Sequence, residues 1–492
     1  MTRQAMLVGA LMCCAGCRIG QPYQRPAAPT PPDFKEMADT DQWKVATPSD
    51  DLPKGKWWTM FGDAQLNTLE DSLEIDNQNV KQAEANFRQA RAFVHASRAN
   101  YYPTIGVNPA ITQSDFGPNN GRGIGGTSQT FSIPGEVTWE PDLWGRVRLS
   151  VENATNNAQV SAAELENVRL SQQALLAVAY FSLAANDMQQ AILQDTIEAY
   201  TKNMKLTTDR FNGGVASRSD VTLAQTQLAG ARAQSTDLRV TRAQFEHAIA
   251  TLTGRTASDL PIAITKIDGP PPIVPMTIPS HLLERRPDIA ASERQVAAAN
   301  ANVGLAQTAY YPTLTLSANP ALIATSVASI FSWAARSWSA TAALSQTVAD
   351  FGRRRAQVEG AQAAYDATVA GYRQTVLTAF QEVEDDLAAL RYLAEEAGQQ
   401  QEAVTAAQQA VNLETDRYRA GTDSYLNVIT TQAIALNDQQ VAVEILQRRV
   451  SAAVDLVKAL GGGWDASLLP SADALRSGSS AGPCGTPPCG SR

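Results

Sequence analysis

The sequence contains a long internal repeat. The string YYPT occurs at residues 101–104 and again at residues 310–313. DLWGR, which begins at Asp142, returns as DFGRR from Asp350, and RFNGGVASRSDV, which begins at Arg210, is matched 207 positions later by RYRAGTDSYLNV. Landmarks that keep their order and nearly constant spacing indicate a duplicated structural unit. One chain therefore carries two copies of the same arrangement of strands and helices.

Charge and composition exclude several functions. The formal net charge of -9 offers no basic surface for nucleic acid. The three histidines, His95, His247 and His281, have no metal-ligand spacing, and no cysteine lies between Cys17 and Cys484. A serine nucleophile elbow is also missing from the sequence. We therefore expect no enzyme, no catalytic residue, no metal site and no cofactor.

The N-terminus has the pattern of an export signal. Arg3 is followed by an apolar stretch and by the small-residue segment CAGC, which ends at Cys17. This segment resembles the bacterial lipobox, in which the cysteine after the cleavage site carries lipid. The pattern predicts a signal peptide at residues 1–16 and lipidation at Cys17, with an ordinary signal peptide as the alternative. In lipoproteins that are retained in the inner membrane, the residue after the lipidated cysteine is typically Asp. This chain has Arg18 there, which favours the outer membrane.

Both ends of the mature chain lack periodicity. Residues 17–56 are rich in Pro, Asp and Lys and predict a lipidated, extended tether. Residues 465–492 become rich in Ser, Gly and Pro and predict a disordered tail. This tail contains Cys484 and Cys489, which either form a disulfide or stay free, because a short spacing in a flexible segment decides neither.

Between these ends we expect two repeats joined by a connector. The first repeat takes residues 57–253, a connector takes 254–285, and the second repeat takes 286–464. In each repeat a helical stretch ends at Tyr-Tyr-Pro, because proline removes an amide donor and restricts the residue before it. Alternating apolar and polar residues then predict a β-hairpin, at about 101–143 in the first copy and 310–350 in the second.

After each hairpin the period changes from two residues to about three and a half. This change predicts long helices over residues 150–252 and 352–460, each interrupted by a turn at Gly214 or Gly421. The first helix has no proline up to about residue 211 and would be roughly 90 Å long. Its apolar seam is predicted to contain Val151, Ala154, Ala158, Leu165, Val168 and Leu175.

The four strands of one chain are too few to close a barrel. Their alternation alone suits a soluble sandwich or a membrane barrel. No apolar run approaches the ~18 residues of a membrane-spanning helix, and aromatic residues cluster near the strand ends, as at membrane interfaces. Strands that lead directly into long helices also leave no second layer for a sandwich. We expect an α+β membrane protein in which three chains supply twelve strands.

Particular segments resemble the outer membrane factors of tripartite efflux pumps, the TolC family, and within it the lipoprotein (OprM/NodT-like) branch. They are WWTMFGDAQLNTL at residues 57–69, HLLERRPDIAASE at 281–293, and the DLWGR and DFGRR segments. The resemblance covers about residues 17–465. It implies a homotrimer with a twelve-stranded outer-membrane β-barrel, a twelve-helix periplasmic α-barrel and a mixed equatorial girdle.

The function implied by this resemblance is that of an outer membrane channel. It would be the passive exit duct of a tripartite efflux pump for small molecules such as drugs or metal ions. The implied partners are a periplasmic adaptor, an inner-membrane transporter of the resistance-nodulation-division (RND) type, and outer membrane lipid. The exit duct of a type I protein secretion system is the alternative, and a structural periplasmic coiled-coil lipoprotein is a third interpretation.

The resemblance also implies functional residues at the two helical tips. Gly214 and Gly421 match the glycines of the tip loops where adaptor hairpins dock, and they equally suit helix ends with positive φ. Asp220 and Tyr418 match the Asp and the Tyr of the periplasmic gate. The Arg of that gate is replaced by Asp423, so its salt link cannot form.

The expected gate is acidic but lacks the family's aspartate rings, whose positions hold Asn427 and Thr430. Three copies of Asp220 and Asp423 near a threefold axis predict a constriction that favours cations. Like charges held close together are also expected to raise some carboxylate pKa values. Asp220 alternatively caps the helix that follows it, a role that is compatible with gating.

Arginines follow the strands in both repeats. Arg146 and Arg148 lie there in the first copy, and residues 353–355 are all arginine in the second. They are expected either to contact phospholipid headgroups at the periplasmic interface or to form an exposed first helical turn. The glycine-rich segment 121–126 has no Lys-Ser/Thr ending and is predicted to be an extracellular loop rather than a phosphate loop.

Overall fold

The computed structural model describes most of the chain. The described residues are 19–31, 33–37, 56–116, 126–274 and 282–477. The predicted signal peptide, Cys17, Cys484 and Cys489 lie outside them, as does nearly all of the glycine-rich loop. Lipidation and the disulfide therefore stay predictions from the sequence.

Two helices open the first repeat: α1, Ala64–Asp76, and α2, Gln78–Ala99. Side chains satisfy the free amides at both starts. Asp63 accepts hydrogen bonds from two amides in the first turn of α1, and Asn77 does the same for α2. Asn77 also ends α1, so one polar residue separates the two helices.

The strands form one antiparallel sheet. They are β1, Thr104–Val107; β2, Ala110–Phe116; β3, Gly126–Trp139; β4, Thr313–Ala324; and β5, Arg336–Ser345. β1 and β2 both pair with β3 and are separated at Pro109, which has no amide donor, so they form one interrupted strand. β4 joins the two hairpins by pairing with β3 and β5. The sheet thus has four strand positions, two from each repeat.

Two pairs of long helices follow the hairpins. They are α3, Arg146–Asn212, with α4, Arg218–Leu252, and α7, Arg353–Ala420, with α8, Tyr425–Ala459. α3 and α7 are each about 100 Å long at the α-helical rise. α3 starts earlier than predicted, because Gly145 adopts φ 80° and Asp142 accepts the amides of Val147 and Arg148. Among the described residues, no helix is long and apolar enough to cross a membrane.

The second repeat begins with a single helical turn, α5, Leu282–Arg285, followed by α6, Pro287–Thr308. Arg286, between them, is buried. Its guanidinium contacts Asp288 and Glu382, each at 2.7 Å, and donates to the carbonyl of Ala459 at 3.1 Å. The arginine therefore ties α6 to α7 and α8.

Helix α3 lies at the centre of the helical packing, against α2, α4, α6 and α8. The predicted seam is correct at Ala158 and Leu165, which are buried, but wrong at Leu175, which is 54% exposed. Leu176 is fully buried instead. The reason is that a straight helix with 3.6 residues per turn drifts away from a strict seven-residue spacing.

The N-terminal segment is extended but not free. Tyr23 donates its hydroxyl to the Glu293 carboxylate at 2.5 Å, and Phe34 is 1% exposed. The amides of residues 35–36 both donate to Glu384, at 2.7 and 3.0 Å. The described part of the predicted tether is thus held along α6 and α7.

The C-terminal prediction needs a correction. Residues 465–477, expected to belong to a disordered tail, contain a 3-10 turn and helix α9, Ala472–Ser477. Leu475 is 1% exposed within the main core, and Gln159 donates to the carbonyl of Pro470 at 3.0 Å. The burial of Leu475 and one hydrogen bond therefore order a segment whose composition alone indicates flexibility.

Candidate functional site: the two helical tips

The first tip joins α3 to α4. The amide of Val215 donates to the carbonyl of Arg210 at 2.9 Å, and Gly214 takes φ 73°, a conformation that favours glycine. Ser217 and Asp220 form a capping box. The Ser217 hydroxyl accepts a hydrogen bond from the Asp220 amide at 3.1 Å, and the Asp220 carboxylate accepts one from the Ser217 amide at 3.0 Å. Ser217 is thus the N-cap residue of α4, and Asp220 stabilises the same helix start from the third helical position instead of being the N-cap itself.

The second tip joins α7 to α8 with the same turn. Gly421 takes φ 77°, and the amide of Thr422 donates to the carbonyl of Arg417 at 3.0 Å. The start of α8 differs from the start of α4, because the cap residue Ser424 makes no side-chain cap. The two tips therefore share a backbone turn and differ in how the returning helix begins.

Asp423 organises the second tip. It accepts the Ser424 amide and the Asn427 side-chain amide, both at 2.7 Å, and Arg417 lies 3.8 Å from its other oxygen. The hydrogen bond from the Ser424 amide, with that from the Asn427 side chain and the nearby Arg417 guanidinium, keeps the pKa of Asp423 below its usual range. Within a single chain this shift is opposite to the one expected from a ring of like charges.

Tyr418 lies inside the tip rather than on its surface. It is 5% exposed, its ring centroid is 5.2 Å from that of Tyr425, and its hydroxyl donates to Thr207 at 3.5 Å. Val428 and Ala224 complete this apolar cluster. Tyr418 thus packs the tip that carries Asp423 and does not face the space beyond it in the single chain.

Arg210 connects the two tips, a role that the sequence did not reveal. Its Nη1 donates to the carbonyl oxygens of Tyr418 at 2.8 Å and Arg419 at 3.3 Å. The guanidinium also lies over the Tyr418 ring, 4.7 Å from its centroid. The only indication of this role in the sequence is the repeat, which places Arg210 and Arg417 at equivalent positions.

Each tip exposes one large apolar side chain near its turn glycine. Val215 is 67% exposed beside Gly214, and Leu426 is 57% exposed beyond Gly421. The described residues contain no group of three or more His, Cys, Asp or Glu side chains arranged to hold a metal ion. Each tip therefore presents an exposed apolar side chain that is available for contact with another protein.

Most arginines at the strand-to-helix boundaries have carboxylate partners. Arg146 pairs with Glu140, Arg354 with Asp350 at 2.6 Å, and Arg355 with Glu359 at 2.8 Å. The Arg355–Glu359 pair is exposed and contributes little to stability, whereas the Arg354–Asp350 pair is largely covered; all three pairs reduce the charge available to a lipid phosphate. Arg148 differs from them, because it lines a cavity together with other arginines.

Comparison with known proteins identifies relatives over nearly the whole chain. The profile of the family described as "Outer membrane efflux protein" matches residues 69–255 and 278–462. The toluene efflux pump outer membrane protein TtgC of Pseudomonas putida is 30% identical over 91% of this chain and 93% of its own. Outer membrane protein OprJ of Pseudomonas aeruginosa is 30% identical over 94% and 97%, respectively.

Solved structures have the same fold. The outer-membrane channel OprN superimposes with a TM-score of 0.84 at 27% identity, over 91% of this chain and all of that one. The Campylobacter jejuni CmeC outer membrane channel gives a TM-score of 0.87 at 21% identity, over 93% and 97%. The predicted α+β fold and the predicted resemblance to TolC-like channels are therefore confirmed.

Proposed function

This chain belongs to the outer membrane efflux protein family, and from that premise we propose how it builds and gates its duct. It is a channel and not an enzyme: the outer membrane exit duct of a tripartite efflux pump, which works with an adaptor and an inner-membrane transporter. The oligomer, the membrane contact, the cargo and the gate are proposals.

The sheet supports a trimeric barrel. Within the described chain, the interrupted strand β1/β2 and strand β5 lie at opposite edges, each paired on one side only. Every residue of β5 is exposed. Unpaired edges of this length are satisfied when neighbouring copies join them, and three copies of four strands give an even-numbered barrel of twelve. This pair of open edges is the observation that carries the proposal.

Aromatic residues support the position of the membrane. Tyr310 and Tyr311 are separated from β4 only by Pro312, and Trp338 on β5 is 81% exposed. The strand from Ser345, at the helical end, to Trp338 spans about 24 Å, close to the roughly 25 Å apolar band of outer-membrane barrels. The hairpins would therefore cross the outer membrane while the long helices extend into the periplasm. Anchoring at Cys17 rests on the lipobox pattern alone.

The names of the relatives support small organic cargo. Relatives at 30% identity include a toluene efflux pump protein, a solvent efflux pump protein and an antibiotic efflux pump protein, all of Pseudomonas putida. We therefore favour apolar organic compounds, delivered through an adaptor by an RND-type transporter. Protein secretion and a purely structural role receive no support from these names.

The test is complementation in a host that lacks its own outer membrane efflux channel, supplied with a cognate transporter and adaptor. The wild-type chain should restore tolerance to toluene and to apolar antibiotics. Native mass spectrometry of the purified protein should give the mass of a trimer. A monomer, or full expression in the outer membrane without restored tolerance, would contradict the proposal.

For the gate we assign a charge filter to Asp423, with Asp220 and Asn427 beside it and Tyr418 packing behind it. Gly214 and Gly421 would shape the apolar tips that receive the adaptor. The support for the filter is that Asp423 is ionised, oriented by Asn427 and placed on a loop rather than inside a helix.

The variant Asp423→Ala should raise single-channel conductance or reduce cation selectivity in planar bilayers. Ser424→Ala, which removes no side-chain cap, is the matched control and should behave as wild type. An Asp423→Ala channel with an unchanged trace and an unchanged reversal potential would exclude the filter.

A further inference from the structure

A basic cavity lies where the first repeat changes from helix to strand. Its volume is about 360 Å³. It is lined by Arg98, Tyr101, Tyr102, Arg148, Val151 and Arg476. We call it the arginine pocket. Three of its six lining residues carry a permanent positive charge, and the two tyrosines are separated from strand β1 only by Pro103.

The three arginines come from separate parts of the chain. Arg98 lies in the last turn of α2, Arg148 in the first turn of α3, and Arg476 in the C-terminal helix α9. α9 packs against both α2 and α3, and the buried side chain of Leu475 holds it there. The convergence of three cations is therefore produced by tertiary packing and not by a local run of basic residues.

The pocket keeps its positive charge. In the part of the chain that the structure describes, no carboxylate lies within ion-pair distance of Arg98 or Arg148. Arg476 has only Asp473, at 3.9 Å, whose side chain is 97% exposed. The nearby Asp142, whose carboxylate accepts hydrogen bonds from the amides that start α3, offsets one of the three arginine charges and leaves the pocket with an excess of positive charge. The Nε of Arg476 is buried and has no hydrogen-bond acceptor among the described residues.

The second repeat lacks this arrangement. The residue that corresponds to Arg148 is Arg355, which pairs with Glu359 at 2.8 Å. The residue that corresponds to Arg98 is Gln307. Helix α9 packs on the first repeat, and no described helix packs in the same way on the second. Among the described residues the pocket thus occurs once, at one defined place on the rim of the sheet.

We propose that the arginine pocket binds a phosphate group, and specifically the phosphodiester of a phospholipid in the periplasmic leaflet. Guanidinium groups bind phosphate oxygens through paired N–H donors, and three of them would surround one anion. Tyr101 and Tyr102 place the pocket at the depth where aromatic belts meet lipid headgroups. The choice of a lipid over free phosphate rests on the proposed membrane barrel, whereas the anion site itself does not.

Native mass spectrometry of the purified full-length protein tests this proposal. Short-chain dioctanoyl phosphatidylglycerol is titrated in one arm and inorganic phosphate in the other. One saturable lipid per chain is expected, and Arg148→Gln or Arg476→Gln should weaken its binding by about tenfold, as for the loss of one charged hydrogen bond. Arg355→Gln, at the matching position of the second repeat, should bind as wild type.

The outcomes separate this inference from the proposed channel. Binding of phosphatidylglycerol with weak binding of inorganic phosphate supports the lipid site, and equal phosphate competition would overturn the lipid assignment. Equal lipid binding by the wild type and the Arg148→Gln, Arg476→Gln and Arg355→Gln variants would overturn the pocket, even if trimers form and toluene tolerance is restored. Arg148→Lys, which keeps the charge but loses the paired donors, should bind at an intermediate level and thereby exclude misfolding as the cause.

Discussion

The two helical tips have nearly the same backbone and different chemistry. Both turn through a glycine with positive φ, 73° at Gly214 and 77° at Gly421. The first tip starts its returning helix with a capping box, whereas the second uses Asp423, whose counterpart in the first tip is Ala216. Duplication has therefore preserved the shape of the turn while allowing the charge to diverge.

The repeated arginine illustrates this divergence best. Arg210 leaves the first tip and bonds two carbonyls of the second, whereas Arg417, its counterpart, stays on its own helix beside Glu414 at 3.1 Å. One copy therefore joins the two hairpins, and the other remains largely exposed. Variants at paired positions can measure how much each difference contributes.

The largest effect is expected for Arg210→Ala. This variant removes two charged hydrogen bonds and a cation–π contact, and it should lower the local stability of the tips by about 2 kcal/mol. Hydrogen exchange of tip amides measures that quantity. Arg417→Ala is the matched control and should cost less than about 1 kcal/mol, because its ion pairs are exposed. Equal effects would show that the bridge between the tips is unimportant.

A somewhat smaller effect is expected at the turn glycines. Gly214→Ala and Gly421→Ala place a side chain in the left-handed region and should each cost about 1–2 kcal/mol. Gly213, with φ -80°, is the matched control, and Gly213→Ala should be nearly neutral. The measurement is the thermal midpoint together with proteolysis at the tips. A neutral Gly421→Ala would mean that the second turn is not constrained by its backbone.

The two N-cap serines should differ by about 1 kcal/mol in the stability that they give to the start of their helices. Ser217→Ala breaks the capping box and should destabilise the start of α4 by about that amount, whereas Ser424→Ala should have little effect. Hydrogen exchange at the first turn of each returning helix compares them. If Ser217→Ala and Ser424→Ala destabilise their helices equally, the capping box does not make one helix start more stable than the other.

The smallest effect is expected along the long helices, away from the tips. There α7 and α8 bring together Glu382, Asp385, Asp386, Asp455 and Lys458. Burial, followed by repulsion from Asp455 and Glu382, raises the pKa of Asp386 to about 8. The corresponding first-repeat residue is Ala179. The folded chain therefore keeps a proton that the unfolded chain loses, and wild-type stability falls from about pH 4 to about pH 8.

Asp386→Ala should accordingly match wild type near pH 4 and be more stable at pH 9. The expected gain is on the order of 1 kcal/mol, or about 2 °C in Tm, because solvent screens the cluster. Asp385→Ala, on the same helix but exposed, is the control. A gain in stability that is independent of pH would mean that packing around residue 386, and not the ionisation of Asp386, distinguishes the second repeat from the first at this position.

Much of the molecule could be predicted from local pattern. Period-two alternation gives the hairpins, and a long proline-free stretch gives α3, because both follow from backbone geometry. Leu175 was misplaced since a one-residue phase error accumulates along a long helix. The order of residues 465–477 was missed, because a buried residue such as Leu475 is invisible in a segment of flexible composition.

The sequence by itself determined the duplication, the element types, the turn glycines and the family, since these depend on short-range pattern and on the order of motifs. Only the tertiary structure decided which charges meet. Arg210 is bonded to a carbonyl 208 positions away, and the arginines of the arginine pocket come from α2, α3 and α9. Contacts between residues so distant in the chain depend on which helices pack together, and the local periodicity of the sequence does not determine that packing.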